Sequence, residues 1–204
     1  MIKNDLYEEN RFVKFKILGL LYILFQIFLV LHSESVCAQK IYRPVQDGNS
    51  IVIKGTSNLH DWELKGQQIT GDFSATIVQN SFRQISQIRI SIPVISFKNV
   101  EGIMDANAYE ALKSKDFPTI SYQSNIFTLP GNDQISSVGL LTIAGVTKKK
   151  TLITDYVIGN DGSITFKGTV KLKMSEFGIS PSTALPGTLD TKDDMEIYYE
   201  ICFK

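Results

Sequence analysis

Residues 164–174 read ITFKGTVKLKM, and their side chains alternate between two kinds along the chain. Every second residue is apolar or small, and each residue between is a threonine or a lysine. Successive side chains of a strand point to opposite faces, so this alternation is typical of a strand with one buried and one wet face. The apolar or small row consists of Ile164, Phe166, Gly168, Val170, Leu172 and Met174.

The period of two recurs along most of the chain after residue 50. It is clearest in residues 69–77, 88–94 and 195–203, where apolar and polar side chains again alternate. These stretches predict antiparallel strands that bury one face against a shared core. Further strands are predicted near residues 50–57, 120–128, 135–144 and 150–158.

One stretch follows a helical period instead. Residues 101–115 place Met104, Ala108, Ala111 and Leu112 at helical spacing, and Phe117-Pro118 ends the pattern. We therefore expect one short helix among about eight antiparallel strands. Such a set of elements forms either a sandwich or a closed barrel, and the long, regular strands favour the barrel.

Two short segments predict the turns between strands. Asn160-Asp161-Gly162 is a strong hairpin signal, and Pro130-Gly131-Asn132 marks another turn. Both segments separate stretches of alternating side chains. They support a fold in which neighbouring strands run antiparallel.

The charge balance argues against a nucleic-acid binder. Among 204 residues, Lys+Arg and Asp+Glu number 21 each, and the longest basic run is Lys148-Lys149-Lys150. Nucleic-acid recognition needs a concentrated cationic surface, so no nucleic-acid partner is expected. An apolar share of 43% is enough to fill the core of one domain.

Residues 1–38 have the composition of a signal peptide. Ile17 to Leu31 carries no charge, and Val36-x-Ala38 has the small-x-small spacing that precedes cleavage. We expect cleavage between Ala38 and Gln39, followed by a periplasmic or secreted domain spanning residues 39–204. The rival interpretation is a membrane anchor, but 15 helical residues span only about 22 Å of a bilayer core of about 30 Å.

The two cysteines, Cys37 and Cys202, raise the questions of lipid attachment near the N-terminus and of a disulfide in the mature chain. A lipoprotein acylated at Cys37 is a further alternative, although Glu34-Ser35-Val36 does not fit the usual signal. If Cys37 leaves with the leader, Cys202 is the only cysteine of the mature chain. No internal disulfide can then form, and the core must hold the fold.

The densest cluster of special residues is Gly55 to Trp62, GTSNLHDW. It contains the only tryptophan and, if the leader is removed, the only histidine. A zinc site needs three or four ligands and nucleophilic catalysis needs a base beside its nucleophile, and the sequence supplies neither set. We therefore expect His60 and Asp61 to fix a turn while Trp62 closes a barrel end, with ligand contact as the alternative.

Four segments resemble the YceI-like family, in the order and spacing of that family. ALKSKDFPTI at 111–120 resembles its L-(R/K)-S-x-D-F…P-x-I segment, and GLLTIAGVTK at 139–148 resembles G-x-L-T-I-x-G-V-T-K. MSEFGI at 174–179 is similar to its x-S-(D/E)-F-G-I segment, and GTSNLHDW is similar to the opening of one branch. Two positions depart from the common pattern: Met174 replaces an arginine, and His60-Asp61-Trp62 replaces a His-Ser opening.

The resemblance implies a lipocalin-like barrel in the periplasm that binds a long isoprenoid chain, such as a polyprenyl lipid or an isoprenoid quinone. It implies no catalytic residue, no metal and no cofactor apart from such a bound lipid. A carrier of this kind would exchange lipid through transient contact with a membrane, and the sequence leaves a homodimer open. The residues expected to contact the ligand are Phe73, Ile88, Ile90, Ile92, Phe166, Met174, Trp62 and His60.

Two other functions remain open from the residues alone. The same alternating rows could fill a solid core, which would make the protein a structural or stress-related interaction module without a ligand. A small hydrolase or isomerase that uses His60 is the lesser alternative. A barrel interior with room for a ligand would favour the carrier over the packed module.

Overall fold

The structure is a computed structural model that describes residues 38–66, 68–99, 105–180 and 190–204, together with Gly19, Tyr22 and Gly102. The predicted signal peptide therefore lies almost wholly outside the described residues. Within them, no helix is both long and apolar enough to cross a membrane. Residues Ala38–Lys204 form one compact unit, which contains all the elements named below.

From residue 38 onward, the described residues form 11 strands and one α-helix. The strands are β1 (Lys40–Tyr42), β2 (Ser50–Ser57), β3 (Asp61–Gly66), β4 (Thr70–Val78), β5 (Ser81–Pro93), β6 (Phe97–Lys98), β7 (Thr119–Gly131), β8 (Gln134–Ile143), β9 (Val146–Ile158), β10 (Ile164–Lys173) and β11 (Thr191–Phe203). The helix α1 spans Asp105–Ala111, and two short 3-10 helices span Val94–Ser96 and Met174–Phe177.

All strands belong to one antiparallel sheet, ordered β1-β4-β5-β7-β8-β9-β10-β11-β2-β3-β6. The sheet curls on itself into a half-barrel. Phe73 of β4 meets Phe166 of β10 with ring centroids 4.9 Å apart, although β5, β7, β8 and β9 separate the two strands in the sheet. The inward side chains of opposite strands therefore form one shared core.

The all-β antiparallel class and the single short helix are confirmed, but the predicted number of about eight strands is wrong. The predicted strands correspond to the eight long strands of the sheet, and the three that sequence analysis missed are β1, β3 and β6. Strands β1 and β6 have three and two residues, too few to show a period of two. They are also the two edges of the sheet, so the ladder of the described strands does not close into the predicted barrel.

The chain next to β1 ties one edge of the sheet to β11. Strand β1 pairs with β4, and the following residues pair with the end of β11 instead. Arg43 and Lys204 exchange two backbone hydrogen bonds of 3.0 and 2.9 Å, and the Val45 N–H donates to the Cys202 carbonyl at 2.9 Å. These bonds hold two distant strands together at one end of the curled sheet.

The same end is filled by an aromatic cluster, called here the aromatic plug. Neighbouring rings of the plug have centroid separations between 4.7 and 6.3 Å, a range in which edge-to-face packing is favourable. Its members are Tyr42, Phe73, Phe82, Tyr156, Phe166 and Phe203. Phe73 and Phe203 are almost completely buried, so their rings are packed into the core at this end.

The predicted turns are present. Gly162 adopts φ +78°, and the Asp161 carboxylate accepts hydrogen bonds from the Ser163 backbone N–H and hydroxyl, which closes the β9–β10 hairpin. Between β7 and β8, the residues with positive φ are Gly131, Asn132 and Asp133.

Helix α1 is shorter than the predicted 101–115. The helix ends at Ala111, two residues before Lys113, which adopts φ +53°. The carbonyl of Lys113 accepts hydrogen bonds from the backbone N–H groups of Asp116 and Phe117, which fold the chain into a turn before Pro118. The helix therefore presents only two turns to the sheet.

Candidate functional site

The end of the curled sheet opposite the aromatic plug contains a cavity of about 310 Å³, called here the outer chamber. Phe166 lies near the start of β10, whereas Met174 follows the end of that strand and lines this chamber. Ligand pockets in proteins measure about 300–1,000 Å³, so the outer chamber is large enough to hold part of a ligand. It is lined by Ile53, Ser57, His60, Trp62, Leu64, Asn107, Ala108, Ala111, Leu112, Ile120, Ile143, Met174, Ile179, Ser180, Thr191, Met195 and Ile197.

A second cavity of about 100 Å³, the inner chamber, lies between the outer chamber and the aromatic plug. The two chambers share Ile120 and Ile197 in their walls, so they adjoin at these side chains. The inner chamber is lined by Ile51, Ile88, Ile90, Ile92, Ile120, Ser121, Tyr122, Ser137, Leu141, Leu152, Thr154, Phe166, Val170, Ile197, Tyr199, Ile201 and Phe203.

The walls of both chambers are apolar because the strands alternate. The apolar rows of β5, β10 and β11 point inward, while lysines of β10 form ion pairs with acidic residues of β11 outside, such as Lys171 with Glu196 at 3.1 Å. Among the described residues that line the chambers, none is Lys, Arg, Asp or Glu. The arrangement favours a neutral, largely hydrocarbon occupant.

Trp62 forms one wall of the outer chamber and packs against Gly55 of the neighbouring strand. The ring is half-buried, and its Nε1 is a buried donor without a hydrogen-bond partner among the described residues. Leaving such a donor unpaired costs about 1–3 kcal/mol. The packing of the indole on the sheet must offset that cost.

His60 lies at the rim of the outer chamber with an exposed side chain. The turn between β2 and β3 is held by the Ser57 hydroxyl, which donates to the His60 carbonyl at 2.7 Å and accepts from the His60 N–H at 3.2 Å. Asp61 begins β3 and faces solvent. The turn that we assigned to the side chains of His60 and Asp61 is therefore fixed by Ser57, which the sequence analysis did not single out.

The structure brings seven of the eight predicted ligand contacts to the chambers. His60, Trp62 and Met174 line the outer chamber. Four other residues line the inner chamber: Ile88, Ile90, Ile92 and Phe166. Phe73 lies in the aromatic plug and lines neither chamber. That any of these residues contacts a ligand stays a prediction.

Two pairs of hydroxyls lie in the wall of the inner chamber, and no sequence pattern predicted them. The Tyr122 hydroxyl lies 2.8 Å from the Ser137 Oγ, and the Tyr199 hydroxyl lies 2.7 Å from the Thr154 Oγ1. Removal from water raises the pKa of Tyr199 to about 12 and also raises the pKa of Tyr122. Both phenols therefore stay neutral hydrogen-bond donors at physiological pH.

The residue types that chelate metals are dispersed. Within the described part of the chain, no three His, Cys, Asp or Glu side chains come together in a cluster that could hold a metal ion. The lone described cysteine, Cys202, is a free thiol that lies half-buried on β11.

Comparison with known proteins supports the fold and assigns a family. The model of the YceI-like domain family matches residues 49–203, which is most of the chain. No curated protein matches the chain. The solved structures described next are all less than 25% identical to it, so their similarity shows the fold alone.

Three solved structures illustrate the likeness. BcnA of Burkholderia cenocepacia has a TM-score of 0.63 at 18% identity, over 76% of this chain and 95% of that chain. The YceI protein of Campylobacter jejuni has a TM-score of 0.55 at 18% identity, over 84% and 92%. A polyisoprenoid binding domain from Saccharophagus degradans has a TM-score of 0.59 at 7% identity, over 80% and 97%.

Proposed function

The chain belongs to the YceI-like family, and from that premise we propose that it binds a long apolar lipid in its two chambers without catalysing a reaction. The lipid is a polyisoprenoid or an isoprenoid quinone. The observation that carries the proposal is the pair of adjoining apolar cavities, the outer one with His60 in its lining and the inner one with Phe166 and Phe203 of the aromatic plug in its lining. The described domain of Saccharophagus degradans, which has the same fold, is a polyisoprenoid binding domain.

The energetics require a long tail. Burying apolar carbon contributes about 0.8 kcal/mol per CH₂, whereas association costs about 4–15 kcal/mol. A net binding free energy of about −8 kcal/mol, which corresponds to micromolar affinity, therefore needs several isoprene units. A short apolar molecule would bind too weakly for a carrier.

The packed interaction module is the alternative that the chambers argue against. Its core would be solid throughout, whereas two apolar cavities of about 310 and 100 Å³ lie beyond the aromatic plug. An enzyme that uses His60 has less support. The imidazole is exposed at the rim, and no Asp, Glu or Cys lines either chamber among the described residues.

We also propose that the domain works in the periplasm or outside the cell, as the leader sequence predicts. Purified mature protein should then begin at Gln39, and N-terminal sequencing of protein recovered from the periplasmic fraction checks this. Retention of an intact leader in the membrane fraction would show that residues 1–38 are an anchor. Transient contact with a membrane, through which lipid is exchanged, and a homodimer are part of the same proposal.

The test is whether the native protein carries lipid in the outer chamber. Mass spectrometry of an organic extract should detect an isoprenoid lipid in wild-type protein. Ala108→Trp places an indole in the chamber, and Ala106→Trp places the same group on the exposed face of the same helix. We expect lipid to be lost from Ala108→Trp and retained by Ala106→Trp. Absence of lipid from wild-type protein, or its retention by both variants, would contradict the proposal.

A further inference from the structure

Two pairs of hydroxyls interrupt the apolar wall of the inner chamber, and they differ in their bonding. Tyr122 donates towards the Ser137 carbonyl at 3.3 Å and also lies 2.8 Å from the Ser137 Oγ. In that pair, Tyr122 can donate to the Ser137 carbonyl while the Ser137 hydroxyl donates to Tyr122. Both hydroxyl protons can therefore be used within the protein. Tyr199 and Thr154 contact each other through a single bond of 2.7 Å.

The second pair, Tyr199 with Thr154, keeps one hydroxyl proton that could bond to a ligand. Each hydroxyl carries one proton, so two hydroxyls joined by one hydrogen bond keep one proton for another acceptor. Within the described part of the chain, the hydroxyls of Tyr199 and Thr154 bond to each other and to no other side chain. The pair therefore presents one donor at the wall of the inner chamber.

The position of this donor is fixed by a glycine. Tyr199 pairs with Gly168 across β10 and β11, and a Cβ at Gly168 would lie 2.2 Å from the Tyr199 hydroxyl. The ring can rest against β10 only because residue 168 has no side chain. The hydroxyl is thereby held at the wall and leaves the chamber itself open.

The residues that line the chambers determine which ligand atom can accept this hydrogen bond. Neither chamber has a charged residue among its described lining, so a phosphate or carboxylate in the inner chamber would be buried without a counter-charge, at high cost. A carbonyl or hydroxyl oxygen needs no counter-charge. It requires only the donor that the pair supplies.

We infer that the Tyr199–Thr154 pair binds an uncharged oxygen at one end of the ligand, so that this polar end lies in the inner chamber and the hydrocarbon chain extends through the outer chamber. The inference rests on the proposed function. It selects quinones, ketones and alcohols with isoprenoid chains, and it excludes chains whose inner end is a diphosphate.

The test compares three probes that share one chain of four isoprene units: the alcohol geranylgeraniol, its diphosphate, and the hydrocarbon with hydrogen in place of the hydroxyl. Trp62 lines the outer chamber and is the only tryptophan, so its fluorescence reports binding. One hydrogen bond should make the alcohol bind about three- to tenfold more tightly than the hydrocarbon. The diphosphate should bind more weakly than the alcohol.

Tyr199→Phe combined with Thr154→Val removes both hydroxyls of the pair, and therefore its donor, and keeps the aromatic ring. Both substitutions are needed because either hydroxyl alone would keep one proton for the ligand. We expect the double variant to lose the preference for the alcohol while its affinity for the hydrocarbon stays unchanged. Tyr198→Phe is the matched control, because the neighbouring phenol is exposed and donates to Glu196 outside the sheet. It should keep the preference. If the double variant does not fold, the comparison of alcohol with hydrocarbon on wild-type protein still tests the inference.

The outcomes separate this inference from the proposed function. Equal binding of alcohol and hydrocarbon by wild-type protein would overturn the inference and leave the proposed function intact. Diphosphate that binds as tightly as alcohol, or a double variant that keeps the preference for the alcohol or is weakened equally for alcohol and hydrocarbon, would also overturn it. Failure of all three probes to bind would overturn the proposed function and, with it, this inference.

Discussion

The indole of Trp62 lies directly over Gly55, its partner in the register of β2 and β3. A Cβ on Gly55 would sit 2.2 Å from Cζ2 of the indole and 2.6 Å from Cε2. A side chain at position 55 and the indole of Trp62 therefore cannot occupy their places at the same time. The wall that Trp62 gives to the outer chamber depends on the absence of a side chain at Gly55.

Gly55→Ala should displace the indole from the sheet. We expect a loss of about 1–3 kcal/mol in the free energy of unfolding, typical of overpacking, and a changed emission maximum of Trp62. Urea denaturation and fluorescence spectra measure the two effects. The control is the same substitution in a Trp62→Leu background, where it should cost much less. Additive losses in the two backgrounds would show that Gly55 and Trp62 are not coupled.

Ile90→Trp distinguishes a hollow interior from a packed one. Ile90 lines the inner chamber, whereas Ile85 of the same strand is buried but lines neither chamber. Ile85→Trp should therefore lower the free energy of unfolding by about 1–3 kcal/mol, and Ile90→Trp by less. Ile90→Trp should also reduce the length of lipid that the protein retains. Equal destabilisation by both variants, with lipid content unchanged, would support a packed core at Ile90.

Sequence periodicity located the long strands but not the short ones. The alternation in 164–174 and 195–203 corresponds to β10 and β11, because each strand has one face on the core and one in solvent. Strand β3 also alternates, but its start at Asp61 follows the turn at Ser57. We therefore assigned Asp61 to the turn and Trp62 to a barrel end, and predicted no strand there. Edge strands as short as β6 exist only because a neighbouring strand pairs with them, which no local pattern reveals.

The candidate site was predictable only in its apolar part. Inward rows such as Ile88 to Ile92 follow from the period of two, and the structure places them in the inner chamber. The bond between Thr154 and Tyr199 joins residues 45 positions apart, so no motif or spacing announces it. Phe73 belongs to an inward row as well, but periodicity cannot tell whether an inward residue meets a cavity or the aromatic plug.

Asn49 should be important for joining the chain near β1 to β11. Its Nδ2 donates to the Val45 carbonyl at 2.6 Å, and its Oδ1 accepts from the Cys202 N–H at 2.8 Å. Asn49→Ala should cost about 1–3 kcal/mol, because it leaves partly buried backbone groups unpaired. Asn49→Asp keeps the acceptor for Cys202 but places a carboxylate oxygen against the Val45 carbonyl, so it should also be destabilising. Urea denaturation checks this, with the exposed Asp47→Ala as a control expected to have little effect.

Tyr199 should make the fold sensitive to alkaline pH. The pKa of its phenol is about 12 in the folded chain, against 10.0 for the free group, because the phenol is withdrawn from water. Above about pH 10, the unfolded chain loses this proton while the folded chain keeps it. Stability that is fully present below pH 10 is therefore lost as the pH rises towards 12.

Replacing Tyr199 with Phe measures how much of the alkaline loss of stability is due to its phenol. The full shift corresponds to about 3 kcal/mol, and since the ring is only half-buried we expect about 1–2 kcal/mol. The pKa values of Tyr122 and Lys173 are raised as well, so these groups also contribute to the pH dependence. The measurement is therefore the difference between wild-type protein and Tyr199→Phe in urea denaturation at pH 8 and at several values from 10 to 12. Wild-type stability should fall more steeply than that of the variant, because only wild-type protein must ionise this phenol on unfolding. Parallel curves would show that Tyr199 titrates as freely in the folded chain as in the unfolded one.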